Sequence, residues 1–278
     1  MKQPEHPRPF RFSKFSGSGN DFVIIDHRDR WCADPVALTR QVCRRGLSVG
    51  ADGVILIEPA PAPAQFTMRI INADGSEAEM CGNGARCAAR CAFLAGIAPA
   101  EMLFHTGAGP VQAQVFPDET VKISLAYQVT MALDQVVYLG NETLRVDSLN
   151  TGVPHAVLVV DDLEAVDVNG LGRTLRYHEQ FKPAGTNVNF VRQLNATTIG
   201  VRTYERGVEA ETLACGTGSV ASALAMAIRN EMRSPVTVVT RGGERLTVHF
   251  VLDGQGVSEL YLQGSARLVY RGEAVEYR

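Results

Sequence analysis

The chain has 278 residues, 45% of them hydrophobic and 21% charged, which suffices for two buried cores and excludes extended disorder. A formal net charge of −3 gives no electrostatic support to a nucleic-acid or anionic-membrane partner and leaves a small solute as the expected ligand. No apolar run reaches the ~18 residues of a membrane span. The opening M-K-Q-P-E-H-P-R-P-F has neither a signal-peptide core nor the pattern of a transit helix, so a cytoplasmic location is expected, with the six cysteines as thiols.

In chain order, residues 9 to 16 and 22 to 26 read as strands around the turn Gly17-Ser18-Gly19-Asn20-Asp21. That turn is no dinucleotide fingerprint, because a third Gly is missing and a strand follows where a helix should. Asp34-Pro35 opens a helix expected to run to Gly46. Strands at 53 to 58 and 66 to 71 flank the extended linker P-A-P-A-P-A and lead through Asn72 into a first Cys loop and its helix, stopped by Gly96. Short strands follow near 102 to 105, 111 to 116 and 120 to 125.

The second half shows strands near 136 to 139, 143 to 149 and 156 to 160, then a helix from Leu171 to Phe181. Strands at 188 to 192 and 198 to 204 lead to a second Cys helix, and strands at 236 to 240, 245 to 250 and 258 to 263 close the half. A tail strand from Arg267 to Tyr277 is expected to return to the first domain. Strands so outnumber helices that parallel βαβ architecture fits poorly.

The two Cys loops are one motif written twice. Glu77 to Gly84 reads E-A-E-M-C-G-N-G, and Glu211 to Gly218 reads E-T-L-A-C-G-T-G, at an offset of 134 residues (215 minus 81). At that offset Ala89 matches Ala223, Thr106 matches Thr240, Gly109 matches Gly243 and Phe116 matches Phe250. The expected fold is therefore α+β: two pseudo-symmetric domains, each a mostly antiparallel sheet wrapped around a central helix, with a cleft between them. The expected limits are residues 1–127 with the tail 266–278, and residues 128–265.

Cys81 and Cys215 would each stand at a helix N-terminus, where unpaired N–H groups and the dipole favour negative charge and lower a thiol pKa from its usual ~8.5. Two poised thiols suit proton removal from one face of a carbon and return to the other. Acid–base groups alone supply ~10²–10⁴ in rate, so the amides of the two helix starts are expected to stabilise the carbanion through its carboxylate. No lysine offers a convincing pyridoxal-phosphate site, so no cofactor is expected. Cys32, Cys43, Cys87 and Cys91 read as buried core residues, and the spacing of Cys81, Cys87 and Cys91 does not match a structural zinc site, so no metal is expected.

Other residues leave two readings open. His155, in the turn after Gly152-Val153-Pro154, is either a hydrogen-bonded structural residue or a partner that helps a thiol lose its proton. Glu205 and Arg206 are either a solvated pair or, beside the Cys loop, a site at which Arg206 clamps a carboxylate bidentately. Asn20, Asn72, Asn83 and Asn187 are either turn residues or amides lining a polar site.

The blocks G-S-G-N-D-F-V-I-I-D, A-D-G-V, N-A-D-G-S-E-A-E-M-C-G-N-G-A-R-C, G-V-P-H, T-N-V-N-F and Y-E-R-G…E-T-L-A-C-G-T-G, in that order, resemble the diaminopimelate epimerase family across residues 10 to 270. The resemblance implies a cofactor-independent homodimer that interconverts LL- and meso-diaminopimelate, a diamino dicarboxylate of lysine and peptidoglycan synthesis. It implies Cys81 and Cys215 as the acid/base thiols, with Gly82, Asn83, Gly216 and Thr217 holding the reacting carboxylate. It further implies Asn20, Asn72, Asn187, Glu205 and Arg206 as substrate-binding residues, His155 and Glu205 as groups that tune the thiols, and Tyr270 as a dimer-interface residue. Val153 and Gly53 depart from Asn and Gln found in some members. A racemase of another amino acid such as histidine is the near alternative. A thiol redox or metal protein and a non-catalytic amino-acid-binding module are alternatives from other classes.

Overall fold

The computed structural model describes residues 9–125, 128–140, 142–230, 232–253 and 256–274. The chain forms two compact units, Met1–Ile123 with Gly264–Arg278, and Ser124–Gln263. The domain limit expected at residue 127 adjoins residues 126 and 127, which lie outside the described residues, as do residues 275 to 277 of the expected tail strand.

The first unit runs β1 (Phe10–Gly17), β2 (Asn20–Asp26), α1 (Pro35–Val42), β3 (Gly53–Glu58), β4 (Phe66–Asn72), β5 (Glu77–Ala78), α2 (Gly82–Leu94), β6 (Glu101–Thr106), β7 (Gly109–Val115) and β8 (Thr120–Ser124). The second runs β9 (Thr130–Leu139), β10 (Glu142–Asn150), β11 (Pro154–Val159), α3 (Val168–Arg176), β12 (Asn187–Asn195), β13 (Thr198–Glu205), β14 (Ala210–Thr212), α4 (Gly216–Asn230), β15 (Val236–Thr240), β16 (Arg245–Asp253) and β17 (Gly256–Ser265). β18 (Arg267–Ala274) then pairs antiparallel with β1 of the first unit.

Each unit repeats one topology. In the first, β2 runs parallel to β3 across α1, β4 is antiparallel to β3 and β5, and β6 returns parallel to β4 after α2. In the second, β11 runs parallel to β12 across α3, β13 is antiparallel to β12 and β14, and β15 returns parallel to β13 after α4. The remaining described pairings within each unit are antiparallel. The matched glycines serve matched turns: Gly109 and Gly243, at φ 117° and 79°, follow β6 and β15, where a side chain would be strained.

α2 and α4 are the central helices because small residues let strands close on every side. Gly84 through Ala92 of α2 are buried, as are Val220 through Ala227 of α4. Leu38 of α1 packs with Val23, Val54, Leu56 and Ile71; Phe66 stacks on Phe104 at 4.7 Å; and in the second unit Leu175 of α3 packs with Val188, Phe190 and Tyr204. Each such large side chain contributes about 1.5–3 kcal/mol by leaving water.

Two helix boundaries differ from expectation. α1 stops at Val42, where the Cys43 N–H turns back to the Thr39 carbonyl at 2.9 Å, and Gly46 (φ 76°) instead serves the turn beyond. α3 begins at Val168, because the Asp167 carboxylate accepts the Gly170 N–H at 2.9 Å, and ends at Arg176. A separate 3-10 turn covers Glu179–Phe181.

Candidate active site

In the first unit the C-G-x-G sequence makes the cysteine its own helix cap. Cys81 is extended (φ −144°, ψ 115°), and its Sγ accepts the Gly84 N–H at 3.4 Å, in the place an N-cap oxygen would take. In the second unit the Cys215 Sγ accepts the Gly218 N–H at the same 3.4 Å, with the Thr217 Oγ1 at 3.6 Å. The second glycine of each motif leaves room for the approach. A Cβ on Gly218 would lie 2.3 Å from the Asn189 Oδ1, and one on Gly84 3.2 Å from the Ile55 and Ile70 Cδ1 atoms.

The lowered thiol pKa expected from the helix starts is overturned. Burial pushes the Cys81 thiol up, against the opposing pull of the Gly84 amide and the Arg86 charge. Cys215 is pushed up to about 11, first by burial and then by the Glu205 charge, while Thr217 and Gly218 pull it down. Desolvating a thiolate costs more than a few partial charges return.

Around Cys81 lies a hydrogen-bonded set of side chains. The Asn83 Nδ2 donates to the Asn20 Oδ1 at 2.8 Å, the Asn20 Nδ2 donates to the Asp52 Oδ2 at 3.0 Å, and the Arg86 Nη2 donates to the Asn83 Oδ1 at 2.8 Å. Arg86 also reaches the Gly82 carbonyl at 3.4 Å. Asn72 stands apart in the β4–β5 turn, its Nδ2 donating to the Ser76 Oγ at 3.0 Å. Gly53, in place of a Gln, is dictated by space, since a Cβ there would lie 2.7 Å from the Ile71 carbonyl oxygen.

Around Cys215, the Thr151 Oγ1 donates to the Thr217 carbonyl at 3.0 Å and ties the β10–β11 turn to the start of α4, of which Gly216 is the first residue. His155 is 1% exposed, and its Nδ1 faces the Asn189 Nδ2 at 3.1 Å. Because that amide nitrogen can only donate, Nδ1 accepts and the proton sits on Nε2. Burial and then the Arg206 charge depress the His155 pKa to about 3, so the ring is neutral. The Asn187 Nδ2 donates to the Pro154 carbonyl at 3.0 Å, and its Oδ1 accepts the Arg206 N–H at 2.9 Å. The Arg206 guanidinium reaches the Ala184 carbonyl at 3.3 Å. Glu205 is half-buried; burial raises its pKa, and the neighbouring Thr212 opposes the rise. Tyr270 lies on β18, 43% exposed, edge-on to Phe12 at 6.0 Å.

Sequence reasoning missed Asp52, Arg86 and Asn189. Arg86 had a signal in being, with Arg90, a charged residue in a helix rich in small ones, and Asn189 had one in the N-x-N alternation that sets it on the same strand face as Asn187. All six cysteines are free thiols, and among the described residues no cluster of His, Cys, Asp and Glu has the arrangement of a metal site. Among the described residues no helix is long and apolar enough to cross a membrane.

Solved structures share the fold. A hydroxyproline epimerase from Agrobacterium vitis aligns at TM-score 0.66 and 17% identity over 96% of this chain and 92% of that one. A phenazine biosynthesis protein from Bacillus anthracis aligns at TM-score 0.72 and 15% identity over 96% and 99%. The chain shares the fold of the hydroxyproline epimerase, with a capped cysteine heading the buried helix of each unit. Residues 12–131 and 148–269 match the family described as diaminopimelate epimerase. Proteins named diaminopimelate epimerase from Aquifex aeolicus and Methanocella arvoryzae are 44% and 41% identical, over 96% and 95% of this chain and 99% and 96% of their own lengths. The chain belongs to the diaminopimelate epimerase family.

Proposed function

We propose that this epimerase interconverts LL- and meso-diaminopimelate by a two-base mechanism in which Cys81 and Cys215 act on opposite faces of one α-carbon. Two domains, residues 1–127 with 266–278 and residues 128–265, each supply one thiol. The observation that carries the reading is the paired cap: each sulfur accepts its helix's third amide at 3.4 Å. That leaves the first amides of Gly82-Asn83 and Gly216-Thr217 to hold the substrate carboxylate as charge grows on it.

In the resting form burial keeps both thiols protonated, and one must give up its proton before it can act. Glu205, whose charge Cys215 feels and whose own proton affinity is raised, is the acceptor we assign in the second unit, with neutral His155 as a second group that tunes the thiol. Asn20, Asn72, Asn187 and Arg206 bind the remainder of the substrate. No pyridoxal phosphate or metal enters the reaction. The six free thiols favour a cytoplasmic site of action, and exposed Val269 and Tyr270 on β18 are proposed to form a homodimer contact.

Incubation in deuterated water with LL-diaminopimelate, meso-diaminopimelate and histidine, followed by mass and chiral analysis, tests the reading. Exchange and inversion are expected on diaminopimelate alone, and abolished in both Cys81→Ser and Cys215→Ser. Inversion that survives either substitution overturns the two-thiol mechanism, and turnover of histidine alone overturns the substrate.

A further inference from the structure

The side chains around Cys81 form a chain of hydrogen bonds whose direction is fixed at both ends. An arginine can only donate and a carboxylate can only accept, whereas a carboxamide placed between them can turn either way. Arg86 is fully buried and donates at 2.8 Å to Asn83, so the atom it meets must be Oδ1. Asp52 accepts at 3.0 Å from Asn20, so the atom it meets must be Nδ2. The 2.8 Å contact between the two amides then runs from the Asn83 Nδ2 to the Asn20 Oδ1. Both amide oxygens are engaged by donors, and each amide nitrogen keeps a second N–H.

We propose that Asp52 and Arg86 are positioning residues that lock the Asn20–Asn83 pair in this polarity, so that both amides offer N–H to a carboxylate bound at the start of the Cys81 helix. The inference rests on the carboxylate-holding role given to Asn83 above, and moves Asn20, hydrogen-bonded to Asn83, from the remainder of the substrate to that same carboxylate. Both ends are themselves held. The Asp52 Oδ1 accepts from the Arg45 Nη2 at 2.7 Å and its Oδ2 from the Asp21 N–H at 3.1 Å. The Arg86 Nη2 also donates to the Ser18 Oγ at 2.6 Å, and its Nε to the Ser265 carbonyl at 3.5 Å. Ser18 sits at φ 49°, a conformation that costs a non-glycine residue and that the Arg86 contact helps to hold.

The same two residues act oppositely on Cys81, the Arg86 charge lowering its thiol pKa and the Asp52 charge raising it. This separates charge from polarity. Asp52→Asn removes the charge but keeps an oxygen that can accept from Asn20; Asp52→Ala removes both. Asp52 is half-buried, so neither substitution opens a large cavity.

The test measures KM, kcat and the pH dependence of Cys81 alkylation in the full chain for Asp52→Asn, Asp52→Ala, Arg86→Lys and Arg86→Met. Asp52→Ala is expected to raise KM about tenfold, and Asp52→Asn to stay within about threefold of the parent. Both Asp52 variants should shift the alkylation profile to lower pH. Arg86→Met should shift it to higher pH, and Arg86→Lys should restore the profile but not KM, since Lys cannot fork between Ser18 and Asn83. Equal KM in Asp52→Asn and Asp52→Ala overturns the proposal, as does a parental KM in Asp52→Ala. If Arg86→Met fails to fold, the Asp52 pair still decides. A parent inactive on diaminopimelate sinks the substrate reading alone. The polarity is then judged by protection of Cys81 from alkylation by a small dicarboxylate, malonate, where protection lost in Asp52→Ala but kept in Asp52→Asn supports it and equal protection in the two overturns it.

Discussion

Gly218 approaches Asn189 so closely that no other residue fits: a Cβ would stand 2.3 Å from the Asn189 Oδ1. That amide is braced on three sides, accepting from the Thr203 Oγ1 at 3.0 Å and donating to the His155 Nδ1 at 3.1 Å and the Ala156 carbonyl at 3.2 Å. Gly218→Ala should therefore push Asn189 out of place and unseat both His155 and the cap on Cys215. The expected loss is about 1–3 kcal/mol of stability and at least about 100-fold in turnover. Gly84→Ala meets only the ends of Ile55 and Ile70 at 3.2 Å, and should fold and retain more activity. Thermal melts and turnover of the two variants side by side check the contrast.

Glu205 faces Cys215 as a negative charge that opposes thiolate formation. Glu205→Gln should lower the thiol pKa while removing the proposed proton acceptor. Alkylation of Cys215 should then begin at lower pH while epimerisation falls by about 100-fold. Faster alkylation with undiminished turnover would show that Glu205 only restrains the thiol.

The residues that made the sequence legible are those whose local chemistry has few uses. The doubled C-G-x-G marked two helix starts, and the glycines at 96, 109 and 243 marked turns that need positive φ. β5 and β14 were illegible because strands of two and three residues carry no alternation. α3 was misplaced because Gly170 and Gly172 weaken its helical pattern. Gly172 is retained for space, since a Cβ there would meet the Tyr204 Cβ at 2.5 Å. The direction of the thiol pKa shifts was misread for a different reason. The helix start is written in the chain, but the depth of burial that outweighs it comes from strands distant in sequence.

Asp147 is wholly buried and accepts from the Arg229 Nη2 at 2.6 Å and from the Asp134 N–H at 2.8 Å. Arg229 lies in the last turn of α4, so the pair pins the end of the second catalytic helix to β10. Arg229→Met should strand the carboxylate and cost about 3 kcal/mol, the lower end for a buried pair because Arg229 is 31% exposed. Urea denaturation measures the loss. Activity of the folded fraction should hold, since neither residue touches the Cys215 cap.

Stability should also decline on the alkaline side. Burial pushes Cys43, Cys91 and Cys215 up to about 11, against an ordinary value of 9.0. A thiol whose folded pKa exceeds its unfolded one binds its proton more tightly in the folded state. Its contribution is therefore complete below pH 9 and is lost as pH rises toward 11. The urea midpoint should hold from pH 7 to about 8.5 and fall steadily above it. Cys43→Ala, which removes a buried thiol outside the Cys81 and Cys215 caps, should start from a lower midpoint but decline less steeply. A parent midpoint that stays level to pH 11 would mean that water reaches these sulfurs and that burial is not what holds their protons.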